Sequence, residues 1–140
     1  MNQIKLIHQR LADADGLAAV LVAGWEIFEL IAASASVSAD ESPDLYPAFT
    51  FARGSAVSGR NAIAFAPSAR PLSGTVVHDP PKPAVGADEM ADVLSALASA
   101  LSVRLRESAR LAADGADRSA CENAASEAER IAGLLARGIS

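Results

Sequence analysis

The sequence predicts an all-α protein, a single domain over residues 1–140 that resembles a four-helix bundle. Apolar residues recur at spacings of three and four in four long segments, as they do along the buried face of a helix. Stretches rich in Pro, Gly, Ser and Asp separate these segments. A chain of 140 residues is long enough to bury one core without disulfides, and its single Cys permits none within the chain.

The first predicted helix spans residues 4–35, and apolar residues cover almost its whole circumference. A helix of this kind is covered by neighbours on most sides. We therefore expect it to be either the central helix of the bundle or part of a subunit interface. The motif Asp-Ala-Asp-Gly at 13–16 is a point at which it can divide into a short leading helix and a long buried one.

The second segment, residues 43–66, follows a loop predicted at 36–44 and admits two interpretations. The runs AFTFA and AIAFA alternate as the strands of a β-hairpin do, but the nine residues between them exceed the usual hairpin loop. As a helix beginning at Ser42-Pro43, the segment gathers its larger apolar side chains on one face. These are Leu45, Phe49, Ala52, Ala56 and Ile63. We predict the helix.

Residues 67–87 contain five prolines and are predicted to form a crossover between the second and third helices. The third helix, 88–113, carries a stripe of larger apolar residues: Met90, Leu94, Leu97, Leu101 and Leu105. The fourth helix, 117–137, has a seam of mostly small ones: Cys121, Ala124, Ala128, Ile131 and Leu135. A tight turn at 113–117 joins the two as antiparallel neighbours.

Composition and charge exclude several classes of function. A formal net charge of −5 argues against a nucleic-acid partner, because neutralisation of phosphates supplies most nonspecific affinity. Glu26 and Glu29 interrupt the most apolar run, which argues against a membrane span. The polar N-terminus does not resemble a secretory signal, so we expect a cytoplasmic protein. Ten Arg against two Lys, with abundant Ala, suggest a GC-rich bacterial genome.

The stretch RGSAVSGRNA at 53–62 resembles a phosphate-binding loop only in its glycine spacing. Arg60 and Asn61 stand where such a loop has Lys and then Ser or Thr, and Asn is a poor substitute for the hydroxyl that binds Mg²⁺. Pro67 also ends the segment too soon for the long helix that such a loop opens. We predict that the glycines serve packing, within a ridge formed by Ala52, Ser55, Ala56, Gly59 and Ala62.

No other residues form a convincing chemical site. Glu26 and Glu29 have no His at the spacing that carboxylate-bridged metal sites require, so we expect solvated acids on a polar stripe. Cys121 lies on a small-residue seam, where a buried and unreactive thiol is expected, while His8 is on the polar N-terminal turn and His78 is in the proline-rich link. We predict no catalytic, metal-binding or cofactor-binding residue.

The sequence therefore favours a non-enzymatic protein-interaction or oligomerisation module, an accessory or regulatory protein of a bacterium. The first helix has more apolar surface than Ala-rich neighbours can cover, which predicts a homodimer or a complex with another protein. The candidate interface residues of this dimer or complex are Leu21, Trp25, Phe28, Leu30, Ile31, Ala52, Ala56 and Gly59. The alternative is a small-ligand-binding protein or enzyme with a pocket near Trp25 and the basic segment 53–70. Its candidate site residues are Trp25, Glu26, Glu29, Arg53 and Arg60.

Overall fold

A computed structural model describes residues 2–72 and 86–136 of the chain. Within these ranges it contains five α-helices, one 3-10 segment and no β-strand. The helices are α1 (Asn2–Asp13), α2 (Leu17–Ala39), α3 (Tyr46–Ala64), α4 (Ala87–Leu111) and α5 (Gly115–Leu135), with the 3-10 segment at Pro67–Leu72. The all-α prediction is confirmed, and the β-hairpin alternative for the second segment is wrong. Most of the predicted proline-rich crossover, residues 73–85, lies outside the described residues.

The first predicted helix is two helices, because the chain breaks at the motif 13–16. Gly16 has a φ of 89°, a conformation that a residue without a side chain adopts at little cost. The guanidinium group of Arg104 on α4 donates to the backbone carbonyl oxygens of Ala12 and Ala14, at 3.4 and 2.6 Å. These bonds satisfy acceptors that the end of α1 leaves open. The chain therefore has five α-helices in its described part where four were predicted.

The boundary between the first two predicted segments was wrong by several residues. α2 continues through Ala39, although residues 36–44 had been predicted as a loop. Ser34 and Ser38 are buried in this last part, so serines that suggest a loop in the sequence lie on the inner face of a helix. α3 then begins at Tyr46 with Pro47 in its first turn, and not at Ser42-Pro43.

α2 makes its main contacts with three other α-helices of the described fold. It packs against α3 and α4, and α5 packs against the same two helices from the other side of the core. α1 lies against α2 and α4. The predicted stripe of α4 and seam of α5 are both buried, as is the inner face of α3 except for half-buried Leu45. One cluster of buried side chains therefore connects all five helices.

Candidate functional site

The two glycines of the stretch 53–62 lie inside α3, and this location is incompatible with a phosphate-binding loop. Inside a helix, backbone N–H groups donate to carbonyl oxygens four residues earlier and cannot surround a phosphate. α3 also follows a helix and not a strand. The segment is therefore not a nucleotide loop.

The packing explanation holds for one glycine and fails for the other. Gly59 is buried against the ring of Phe28, where an added Cβ atom would lie 2.4 Å from the ring. Gly54 is exposed, and an added Cβ atom there would meet nothing within 4 Å. The prediction that both glycines serve packing inside the protein is therefore wrong for Gly54.

Trp25, Glu29 and Arg60 meet where α2 and α3 pack together. A guanidinium nitrogen of Arg60 lies 2.5 Å from a carboxylate oxygen of Glu29, and the Arg60 Cζ atom lies 5.7 Å from the centre of the Trp25 ring. Such a guanidinium group is attracted both by the carboxylate and by the face of the ring. Four of the five candidate ligand residues are close to this cluster or part of it, and Arg53 is exposed on α3.

Two ion pairs correct the interpretation of the acids on α2. Glu26 bonds to Arg10 of α1, and the side chains of Glu26 and Glu29 are only 10% and 17% exposed. They are partly buried ion-pair partners and not solvated acids on a polar stripe. The Arg10–Glu26 pair joins α1 to α2, and the cluster of Trp25, Glu29 and Arg60 joins α2 to α3. Its chemistry is that of a structural clasp.

The single thiol lies in an unreactive environment. Cys121 is fully buried on the small-residue seam of α5, as predicted. Burial is the main cause, and the negative charges of Asp117 and Glu122 are lesser ones, of a rise in the pKa of this thiol to about 11. His8 is exposed on α1, and His78 lies outside the described residues. At neutral pH the thiol is therefore protonated and inaccessible, which is unsuitable for a nucleophile.

One buried polar contact was missed by the sequence reasoning. Asp117, in the first turn of α5, is 5% exposed and accepts hydrogen bonds from the backbone N–H and the hydroxyl of Ser68, at 3.0 and 2.7 Å. These bonds fix the 3-10 segment to the start of α5. Asp114 independently caps α5 by accepting from the N–H groups of Ala116 and Asp117. The sequence indicated a helix start here but not a long-range anchor.

Two grooves lie beside the junction of α1 and α2. One, of about 330 Å³, is formed with the end of α4; the other, of about 400 Å³, runs between α1 and α2. Neither is lined by Trp25 or by a residue of 53–70, where a ligand pocket was expected. Their principal cations already have partners, since Arg104 donates to the end of α1 and Arg10 bonds to Glu26.

Among the described residues, no three His, Cys, Asp or Glu side chains lie close enough together to hold a metal ion. α2 is long and apolar enough to cross a membrane by length and composition, and half of its most apolar window is buried inside the protein. Its main neighbours in the described part of the chain are α1, α3, α4 and the 3-10 segment.

The residues predicted to form a dimer interface are mostly inside the chain. Trp25 is half-buried, and the others are buried by neighbouring helices. These are Leu21, Phe28, Leu30, Ile31, Ala52, Ala56 and Gly59. The reason given for the dimer, that the neighbours of α2 leave its apolar side chains uncovered, is therefore wrong at these positions. A surface for binding must be sought elsewhere.

The outer face of α3 offers such a surface, which we call the α3 seam. Its members recur at alternating spacings of four and three, and all are exposed: Pro47, Phe51, Gly54, Ser58, Asn61 and Phe65, the last directly after the end of α3. Phe51 is 65% exposed and Phe65 is 83% exposed. Both rings point away from a core that buries Phe28 and Phe49 completely. Aromatic side chains therefore stand at both ends of the seam, with small residues between them.

The exposed side of α3 also differs from those of α4 and α5 in charge. Of nine exposed residues on α3, only Arg53 is charged. Five of nine exposed residues are charged on α4, and four of ten on α5. Depletion of charge together with exposed aromatic rings is the composition of the centre of a protein interface. The sequence carried this signal, because removing the predicted buried face of α3 leaves Phe51 and Phe65 on the opposite side.

Comparisons with protein-family models, with curated proteins and with solved structures found no match to this chain. The function therefore has to be argued from the residues themselves.

Proposed function

We propose that this protein is a non-enzymatic interaction module that binds another protein surface through the α3 seam. The supporting observation is the pair of exposed rings, Phe51 and Phe65, on a helix side with almost no charge. A fully buried phenylalanine is favoured over an exposed one by about 1.5–3 kcal/mol, so rings left in water are a source of binding free energy. Exposed aromatic rings on a surface with little charge are the composition typical of interaction sites.

The remaining helices supply a scaffold for this seam. We propose that α2, α3, α4 and α5 form a four-helix bundle on which α1 lies as an additional helix; the pairing of α2 and α5 with the same two neighbours supports it. α2 and α5 pack against the inner face of α3, so the seam lies on a rigid support. The composition supports a bacterial origin, and a role in the cytoplasm belongs to the same proposal.

The environments of the reactive groups favour binding over catalysis. Cys121 is buried with a raised pKa, whereas an enzyme nucleophile needs a lowered pKa and access to substrate. The carboxylates of Glu26 and Glu29 bond to arginines, and neither of the two grooves described above is lined by Trp25, Glu29 or Arg60. A catalytic or ligand site needs several such groups converging on one concave surface.

Site-specific photocrosslinking in living cells tests the proposed surface. A photoreactive amino acid at Ser58, in the middle of the seam, should give covalent adducts with a protein. The same group at Ser119, an exposed serine on α5, is the matched control and should give few or none. Equal labelling from both positions, or none from Ser58, would contradict the proposal.

A further inference from the structure

We infer that the occupant of the α3 seam is a second copy of this chain, with the two α3 helices antiparallel about a two-fold axis at Ser58. This inference rests on the proposed function, which requires only that the seam binds some protein. It names the partner and the geometry.

The seam is nearly symmetric about its own centre. Phe51 and Phe65 lie seven residues on either side of Ser58, and Gly54 and Asn61 lie four before it and three after it. A two-fold axis at Ser58 brings Phe51 of one copy next to Phe65 of the other, at both ends of the contact. A closed dimer requires such self-complementarity, because the same patch must fit itself.

The shape of the seam fits a close crossing of two helices. Its members form two interleaved series, and neighbours within each series are seven residues apart. Two helices pack along this pattern in a coiled coil. The central residues Gly54, Ser58 and Asn61 are small or short, so the two backbones can approach closely there. The rings of Phe51 and Phe65 then lie beside this crossing and meet in pairs, an arrangement that aromatic rings favour.

The exposed area is of the right order for a dimer. Taking about 200 Å² for a whole phenylalanine, Phe51 and Phe65 together expose roughly 300 Å² in each copy. Two copies thus contribute about half of the roughly 1,200 Å² at which specific protein interfaces begin. The other seam residues and the flanking Thr50 and Ala64, both exposed, supply further contact along the helix.

Charge favours the antiparallel arrangement over the parallel one. Arg53 is the single exposed charge of α3. In a parallel pair the two Arg53 side chains would stand side by side, and their repulsion would oppose association. In the antiparallel pair they are ten helical positions apart, about 15 Å, which exceeds the screening length at physiological salt.

The mass of the full chain in solution tests the inference. Light scattering during size exclusion at low micromolar concentration should give twice the chain mass of 14.3 kDa. Phe51→Glu and Phe65→Glu should each shift the protein to the monomer mass while circular dichroism stays unchanged. Val103→Glu is the matched control, because Val103 is a 64% exposed apolar residue on α4, and it should remain dimeric.

A second variant tests the geometry independently of the glutamate substitutions. Ser58→Cys should form a disulfide-linked dimer on mild oxidation, and Ser119→Cys should not. The buried Cys121 should contribute to neither. A wild-type protein that is still monomeric at a concentration about 100-fold higher overturns the inference. A dimer that survives both glutamate substitutions also overturns it.

The two proposals fail in different ways. A monomer whose photoreactive group at Ser58 captures a different protein overturns the dimer and leaves the interaction function standing. A monomer that gives no adduct, or only an adduct within its own chain, overturns both. A dimer whose adduct from Ser58 links two copies supports both.

Discussion

The ring of Phe28 occupies the space in which a side chain at position 59 would lie. An ideal Cβ atom on Gly59 would be 2.4 Å from the ring's Cζ atom. Gly24 has the reciprocal relationship, because a Cβ atom there would lie 2.9 Å from Cδ1 of Ile63. α2 and α3 each place a glycine opposite a large side chain of the other helix. This exchange sets how closely the two helices approach and where they contact along their lengths.

The first prediction is that Gly59→Ala destabilises the protein. Alanine favours a helix over glycine by about 1 kcal/mol, but the clash with Phe28 should outweigh this gain. Overpacking of this kind typically costs about 1–3 kcal/mol, and Gly59→Leu should cost more than Gly59→Ala. Urea unfolding followed by circular dichroism measures the free energy. A Gly59→Ala protein as stable as the wild type would show that Phe28 can move aside without cost.

Gly54→Ala is the matched opposite case on the same helix. Nothing lies within 4 Å of a Cβ atom at this position, so only the helix preference remains. The free energy of unfolding should rise by about 0.5–1 kcal/mol relative to the wild type, since glycine inside a helix is unfavourable. The measurement should be made on the monomer, in a Phe51→Glu background, so that association does not contribute.

Hydrophobic spacing was sufficient to predict α4 and α5, and less so the region before them. In α4 and α5 one apolar stripe faces the core and the charged residues other than Asp117 lie outside it, so pattern and burial agree apart from that residue. In α2 the polar residues mislead, since Ser34 and Ser38 are buried near its end and suggest a loop in the sequence. Small hydroxyl side chains fit between packed helices. The spacing of residues in the sequence alone does not distinguish such serines from serines in a loop.

The candidate surface could not be predicted from apolar content alone. The sequence-based prediction placed the interface on α2 because this helix has the most apolar surface. The chain itself covers the predicted interface residues of α2 other than half-buried Trp25. Phe49 and Phe51 differ by two positions, so a helix turns one ring inwards and the other outwards. The predicted inner face of α3 contained Phe49, so the outward direction of Phe51 followed from the sequence, but only the structure shows that the ring of Phe51 is left 65% exposed. The clasp of Trp25, Glu29 and Arg60 likewise depends on the pairing of helices.

The second prediction concerns this clasp. Arg60→Ala should lower the free energy of unfolding by about 1–2 kcal/mol, because Glu29 loses a charged hydrogen-bond partner and Trp25 loses the cation on its ring. Trp25 is the single tryptophan of the chain, so its fluorescence reports on the site directly. The emission maximum should move to longer wavelength as water reaches the ring. Arg53→Ala, which removes the exposed arginine of the same helix, should leave the spectrum unchanged.

The third prediction concerns the anchor between Asp117 and Ser68. Asp117→Ala should cost about 1–3 kcal/mol, because it leaves the Ser68 N–H and hydroxyl without their acceptor in a partly buried position. Ser68→Ala removes only the hydroxyl and should cost about 0.5–1.5 kcal/mol. In the double variant the effects should be less than additive, since both remove the same contact. Strict additivity would mean that the two residues do not interact in solution.

The fourth prediction is a loss of stability at alkaline pH that depends on Cys121. The pKa of this thiol is about 11 in the folded protein, above the ordinary value of 9.0. Below pH 9 the thiol is protonated in both the folded and unfolded states, so its contribution to stability is constant. Between pH 9 and about 11 the unfolded chain loses the proton while the folded protein retains it, and unfolding becomes more favourable as the pH rises.

The measurement is the free energy of unfolding at pH 8 and at pH 10.5, for the wild type and for Cys121→Ala. Other groups titrate in this range, and the substitution removes the thiol while leaving them in place. The wild type should lose more stability than the variant by roughly 1–2 kcal/mol, since one pKa unit corresponds to about 1.36 kcal/mol. Iodoacetamide should also react with the native protein at pH 8 far more slowly than with the unfolded chain. Equal alkaline losses in both proteins, or rapid alkylation of the native thiol, would contradict the burial of Cys121.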